Sequence, residues 1–212
     1  MVLMPSARPA SRLFSEGLLH LVFFLSGFAA ILYQLVWQRS LFTIYGTSSE
    51  SVTIVVTVFM LGLGIGGLLG GALSRGDRWS LPVLFGIAEL LIGAFGLGSL
   101  QLFRWTASVT ADALQLEVGF VAFAILLFPT ILMGATLPML AAYAVGRTRN
   151  VGRSVGMLYF VNTFGSAAGC VAASAFVFAH LGQEGAVRLA VGVNFTVAAC
   201  VLGAFLRRKI AS

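Results

Sequence analysis

Pro129-Thr130-Ile131-Leu132-Met133-Gly134-Ala135-Thr136-Leu137-Pro138 lies in the middle of an apolar run too long and too dry for a soluble domain. Its two prolines interrupt what would otherwise be one uninterrupted membrane helix. Each lacks an N–H and pushes against the carbonyl four residues earlier, so Pro129 frees the carbonyl of Ile125 and Pro138 that of Gly134. In hydrocarbon a freed carbonyl needs a partner, and such breaks persist where protein or a water-filled cavity covers them. The stretch therefore reads as a hinge or half-helix joint built from Pro129, Gly134, Thr136 and Pro138. Gly134 offers a surface without a side chain, and Thr136 offers a hydroxyl. The next apolar run follows after a short connector and is the neighbour expected to cover it.

The rest of the chain is of the same kind. With 59% hydrophobic residues, 9% charged residues and a mean hydropathy of +1.00, the composition is that of a polytopic membrane protein. Its 212 residues hold about six spans of roughly 20 residues with short connectors. The spans are expected over about 17–39, 52–73, 81–103, 118–145, 155–178 and 187–206. They make an all-α transmembrane domain over 16–206, between basic tails at 1–15 and 207–212. At the N-terminus a signal peptide competes, with Leu18–Leu25 as its apolar core and Gly27-Phe28-Ala29-Ala30 as a cleavage site. Hydrophobicity continues through Trp37, which favours an uncleaved first span.

Charge orients the bundle. The net charge is +6, but the basic residues are scattered at the ends of apolar runs, a pattern of membrane orientation and not of nucleic-acid binding. Arg8, Arg12, Arg75, Arg78, Arg147, Arg149, Arg153, Arg207, Arg208 and Lys209 fall on the side of the termini, against Arg39, Arg104 and Arg188 on the other. The positive-inside rule makes both termini cytoplasmic, and an even span count agrees. Spans 1–3 and 4–6 then start on opposite sides, so likeness between them is an inverted repeat. Glycine-rich spans 2 and 5 hint at one, as do Glu89 and Asn194 early in spans 3 and 6.

Few residues suggest chemistry. Gly62-Leu63-Gly64-Ile65-Gly66-Gly67 matches a dinucleotide fingerprint, but that motif needs a preceding strand and a solvent-facing helix start. Gly62, Gly66 and Gly70 recur every four residues, as do Gly165 and Gly169, and small residues at that spacing let membrane helices approach closely. Cys170, Cys200, His20 and His180 lie apart and make no metal site; Cys170 and Cys200 read as small packing side chains. No metal, cofactor or nucleophile–base pair is expected. Glu89 is the one carboxylate well inside a span, roughly 10–12 Å from its cytoplasmic start at about 1.5 Å per residue. Two readings stand for it: a functional site for a cation or proton, or a hydrogen-bonded tie between helices. Gln34 and Asn162 need partners that lipid does not offer, from another helix or from a ligand. Tyr33, Trp37 and Arg39 read as an interfacial belt.

Phe23–Ala30 leading to Tyr33-Gln34 and Trp37-Gln38-Arg39, the glycine run of span 2, Met133–Pro138, and Tyr159 with Asn162-Thr163-Phe164-Gly165 together resemble a known family. It is the multispan membrane region of bacterial spermidine synthase-like proteins, which precedes a soluble aminopropyltransferase-like domain. That region looks like half of a major-facilitator-type transporter. The resemblance implies a multi-pass protein of a bacterial inner membrane that moves a polyamine or similar cation. It would act as a homo-oligomer or with a partner membrane chain, and Glu89, Gln34, Asn162 and Tyr159 would serve as substrate-binding residues. The chain stops at Ser212, where the fused proteins continue into the catalytic domain, so no enzymatic activity is expected of it. The alternative is a membrane anchor or scaffold for a separately encoded aminopropyltransferase- or methyltransferase-like enzyme at the cytoplasmic face.

Overall fold

The computed structural model describes residues 15–45, 48–76, 80–110 and 115–211. Most of the expected N-terminal tail, with Arg8 and Arg12, lies outside the described residues, as do Gly46, Thr47, Asp77, Arg78 and Ser212. Every described element is a helix: α1 (Glu16–Tyr45), α2 (Ser48–Leu73), α3 (Leu81–Val109), α4 (Gln115–Thr148), α5 (Val151–Ala172) and α6 (Phe178–Ala211). A π-helical turn, Ala173–Val177, joins the last two. Among the described residues, five stretches are long and apolar enough to cross a membrane, the fifth being Val151–Arg207 with 57 residues. That stretch is not one rod. Gly182 sits at φ 63° and ψ −166°, a backbone region open essentially to glycine alone, and interrupts the helix there.

Helix starts follow from local chemistry. Ser80 is extended ahead of α3, and Pro82 in the first turn has no N–H to lose. Asn150 caps α5, its Oδ1 accepting from the Arg153 N–H at 2.9 Å. The preceding turn is made by Arg149, at φ 54°. Helices also run past the ends of the expected spans. α1 continues to Tyr45, where the Thr43 hydroxyl donates to the Arg39 carbonyl at 3.1 Å.

The most extensive contacts pair α1 with α5, α2 with α4 and α3 with α6. Small residues set the first two pairs. A Cβ on Gly66 would run into the backbone of Ile131, and one on Gly70 would lie 2.5 Å from the Ala135 carbonyl oxygen. Gly62 is closed off by the Thr130 side chain. On the other pair, Gly165 abuts the Phe24 carbonyl and Gly169 the backbone of Phe28. Residue numbers rise together across both interfaces, so each pair is parallel. In the α3–α6 pair Gly86 meets Leu202 and Gly93 meets Phe195, so these helices are antiparallel.

Three expectations are corrected. Gly134 is covered by α2, where a Cβ would lie 2.5 Å from the Leu63 carbonyl oxygen. The fifth helix is not its cover, because α5 spends its small-residue face on α1. Tyr33 and Trp37 are not an interfacial belt either. Both are fully buried and stacked with centroids 5.1 Å apart, because α1 is enclosed by α2, α3, α5 and α6. Arg39 reaches outward instead, its guanidinium 3.7 Å from the Phe178 ring centroid. Cys170 and Cys200 are exposed on the outside of the bundle, so neither fills the core.

α4 is a single helix with both prolines inside it. Buried hydroxyls sit beside the gaps: Thr130 Oγ1 donates to the Leu126 carbonyl at 2.9 Å, and Thr136 Oγ1 donates to the Met133 carbonyl at 2.7 Å.

Candidate functional site

Between the close pairs α1–α5 and α2–α4 lies a cavity of about 380 Å³. Its formation follows from the packing. Glycine faces draw each pair together along one side, and the larger side chains on the adjoining faces hold the two pairs apart. Gln34 on α1 and Tyr159 and Asn162 on α5 line it together. So do Gly134, Thr136 and Pro138 of the proline-containing stretch on α4. Pro129 is buried elsewhere on α4 and does not line the cavity.

The polar groups are neutral. Amides come from Gln34 and Asn162, and hydroxyls from Ser26, Thr136, Tyr159 and Ser166. Phe23 and Phe59 contribute ring faces. Some of these groups are already engaged between helices. Asn162 Nδ2 donates to the Phe23 carbonyl at 3.2 Å, and Ser166 Oγ to the Gly27 carbonyl at 3.0 Å. Both bonds tie α5 to α1. Tyr159 is 63% exposed, so the rim of the cavity reaches the surface of the bundle.

Glu89 does not line the cavity. It is completely buried among α1, α3 and α6. Ser26 Oγ donates to its Oε1 at 2.5 Å, and Asn194 Nδ2 donates to its Oε2 at 2.5 Å. Each carboxylate oxygen thus has one neutral donor, which is how a buried acceptor-only group is satisfied. Ser26 also lines the cavity, so a single hydroxyl separates Glu89 from it. Further polar atoms are buried in the bundle. Asn194 Oδ1, Tyr33 Oη and Trp37 Nε1 have no hydrogen-bond partner among the described residues.

Ser26 is the residue that sequence reasoning passed over. A serine in an apolar helix can bond its own preceding turn, so its type and position carry no sign of a role between a carboxylate and a cavity. No cluster of three or more His, Cys, Asp or Glu exists among the described residues. The geometry is suited to holding a solute by hydrogen bonds and aromatic faces at membrane depth. No protein-family model, curated protein or solved structure matches the chain.

Proposed function

We propose that the chain is a half-size transporter-like membrane protein that passes a small polar cation of the polyamine class along the cavity between α1, α2, α4 and α5. The observation that carries this reading is the cavity itself, with Gln34, Asn162 and Tyr159 on one wall and Thr136 opposite. Acceptor oxygens and aromatic rings suit an ammonium group, whose donors and charge they can meet without a fixed ion pair. Glu89 lies one hydroxyl behind the wall, out of the path.

Six crossings underlie the proposal. The 57 residues of Val151–Arg207 would extend ~85 Å as one helix, against a hydrocarbon thickness of about 30 Å. A break at Gly182 divides them into two crossings, and the basic residues near both chain ends favour a cytoplasmic location for each terminus.

Helix pairing supports the inverted repeat. Exchanging α1 with α4, α2 with α5 and α3 with α6 turns the α1–α5 pair into the α4–α2 pair and returns the α3–α6 pair to itself. The same exchange relates α3–α4 to α6–α1. This is the pattern of two three-helix units related by an axis in the membrane plane, and it accords with the resemblance to half of a major-facilitator-type transporter. Exposure of Tyr159 at the cavity rim favours closure by a second unit, either another copy or a partner chain. A scaffold for a soluble enzyme calls for no such cavity, which is why transport is preferred.

The test is uptake of a labelled diamine or polyamine into proteoliposomes. Gln34→Leu and Tyr159→Leu should reduce flux severalfold while the thermal midpoint in detergent stays near that of the parent. Absence of flux in the parent protein, or full flux in both variants, would count against the proposal.

A further inference from the structure

Helices α1, α4 and α6 pack against α3, and none brings Glu89 a counter-charge. Between His20 and Arg39, α1 carries Tyr33 as its one titratable residue, and between Glu117 and Tyr143, α4 carries none. Between Arg188 and Arg207, α6 carries only Cys200, which is exposed on the outside of the bundle. Tyr33 is near enough to feel a charge on Glu89. A carboxylate there has two neutral hydrogen bonds and nothing positive beside it, a costly state for a buried charge.

The two bonds differ in kind. An amide N–H only donates, so Asn194 Nδ2 keeps Oε2 as an acceptor. A hydroxyl turns to donate or to accept. Ser26 Oγ, 2.5 Å away, thus suits a bare Oε1 as a donor and a protonated Oε1 as an acceptor. The place for a proton is therefore Oε1. Ser40 and Ser174 spend their hydroxyls on the carbonyl four residues back. Ser26 instead meets a carboxyl on another helix and lines the cavity as well. With polar walls and a volume of about 380 Å³, that cavity is roomy enough for water.

We propose that Glu89 exchanges a proton with the cavity through the Ser26 hydroxyl, one proton leaving for each cationic solute that enters. This exchange rests on the reading of that cavity as a path for a cation. While the cavity holds no solute, Oε1 carries the proton and donates to Ser26 Oγ. When an ammonium group arrives, Ser26 passes its hydroxyl proton to a cavity water and takes the Glu89 proton in its place. The hydroxyl then turns back to donate to the carboxylate. The proton departs with the water, and the carboxylate balances the incoming charge. Carboxyl groups inside membrane spans serve as proton relays elsewhere.

The experiment uses the full chain in detergent, titrated with a diamine in weakly buffered solution containing a pH indicator. The parent should release about one proton per diamine bound. Its affinity should fall by up to about tenfold for each unit that the pH is lowered, below the pH at which the diamine itself loses protons. Glu89→Gln keeps a polar side chain of the same length between Ser26 and Asn194. It should release no proton and bind with an affinity independent of pH. Ser26→Ala should slow the release, followed by stopped flow, and Ser26→Thr, which restores a hydroxyl, should recover it. A readout free of solute is the infrared carbonyl band of a protonated carboxyl. The parent should show a band that bleaches as pH rises and that Glu89→Gln lacks. If Glu89→Gln fails to fold, the two Ser26 variants and proton release by the parent carry the test. Diamine bound by the parent without proton release, equal release from Glu89→Gln, or no such band overturns the exchange and leaves the cavity a cation site. Release from Ser26→Ala at the parent's rate overturns it as well. No diamine binding to the parent would reject the function of the cavity, and the exchange with it.

Discussion

Asn194 on α6 donates its amide to the Glu89 carboxylate on α3 across 2.5 Å, joining the two antiparallel helices through fully enclosed polar groups. A paired group in such a place stabilises modestly, but an orphaned one is expensive.

Glu89→Ala and Asn194→Ala should therefore each lower stability by about 1–3 kcal/mol. The double variant should lose less than the sum. Coupling should fall at about 0.6 kcal/mol or above, the mean found for polar pairs between membrane helices. Reversible unfolding of the four proteins in detergent micelles measures it, and strictly additive losses would show that the pair carries no interaction of its own. Ser26→Ala should couple to Glu89→Ala in the same way, because Ser26 serves the other carboxylate oxygen.

Neighbouring glycines on α2 should respond in opposite ways. A methyl on Gly66 meets the α4 backbone, which cannot yield as a flexible side chain would. Gly66→Ala should cost about 1–3 kcal/mol, the range for forcing extra volume into a packed interface. Gly67 faces the cavity, and a Cβ there meets nothing within 4 Å. Gly67→Ala should be neutral or slightly stabilising, since alanine is the better helix former. Thermal midpoints of the two variants decide the matter, and equal midpoints would contradict the close approach of α2 to α4.

Tyr33→Phe removes a hydroxyl that has no partner among the described residues but keeps the ring stacked on Trp37. Deleting an unsatisfied buried hydroxyl should leave stability unchanged or raise it, by up to about 1–3 kcal/mol. A loss of more than about 1 kcal/mol would mean that an internal water bonds this hydroxyl.

The all-helical architecture could be read from hydropathy, because a membrane helix must be apolar along its whole length. The Gly62, Gly66 and Gly70 spacing marked a face made for close approach, but spacing does not name the helix that approaches. Sequential order suggested α5 as the cover for Gly134, whereas α2 supplies it. Tyr33 and Trp37 misled for a related reason. Aromatic residues near a span end suit the interface and the core equally well, and only the enclosure of α1 on several sides distinguishes the two. At the candidate site, Gln34 and Asn162 stood out because amides are rare in lipid, and Tyr159 entered only through the resemblance. Ser26 did not, and neither did the separation of Glu89 from the cavity, since both depend on how α1 is rotated about its axis. The fold resolves that rotation through contacts as distant in sequence as Asn162 with Phe23.

The pairing order also sets a timetable. The bond between Asn194 and Glu89 spans 105 positions in the chain, and the bonds from α5 back to α1 span 139. At about 5–20 residues per second of synthesis, α3 must wait roughly 5–20 s in or beside the insertion machinery before α6 can exist. During that interval the Glu89 carboxyl has Ser26 of α1 within the nascent chain and no Asn194. Biogenesis of this protein thus includes a half-paired carboxyl that the ribosome cannot shorten, which makes the third helix the point where insertion should stall first when the last helix is truncated or delayed.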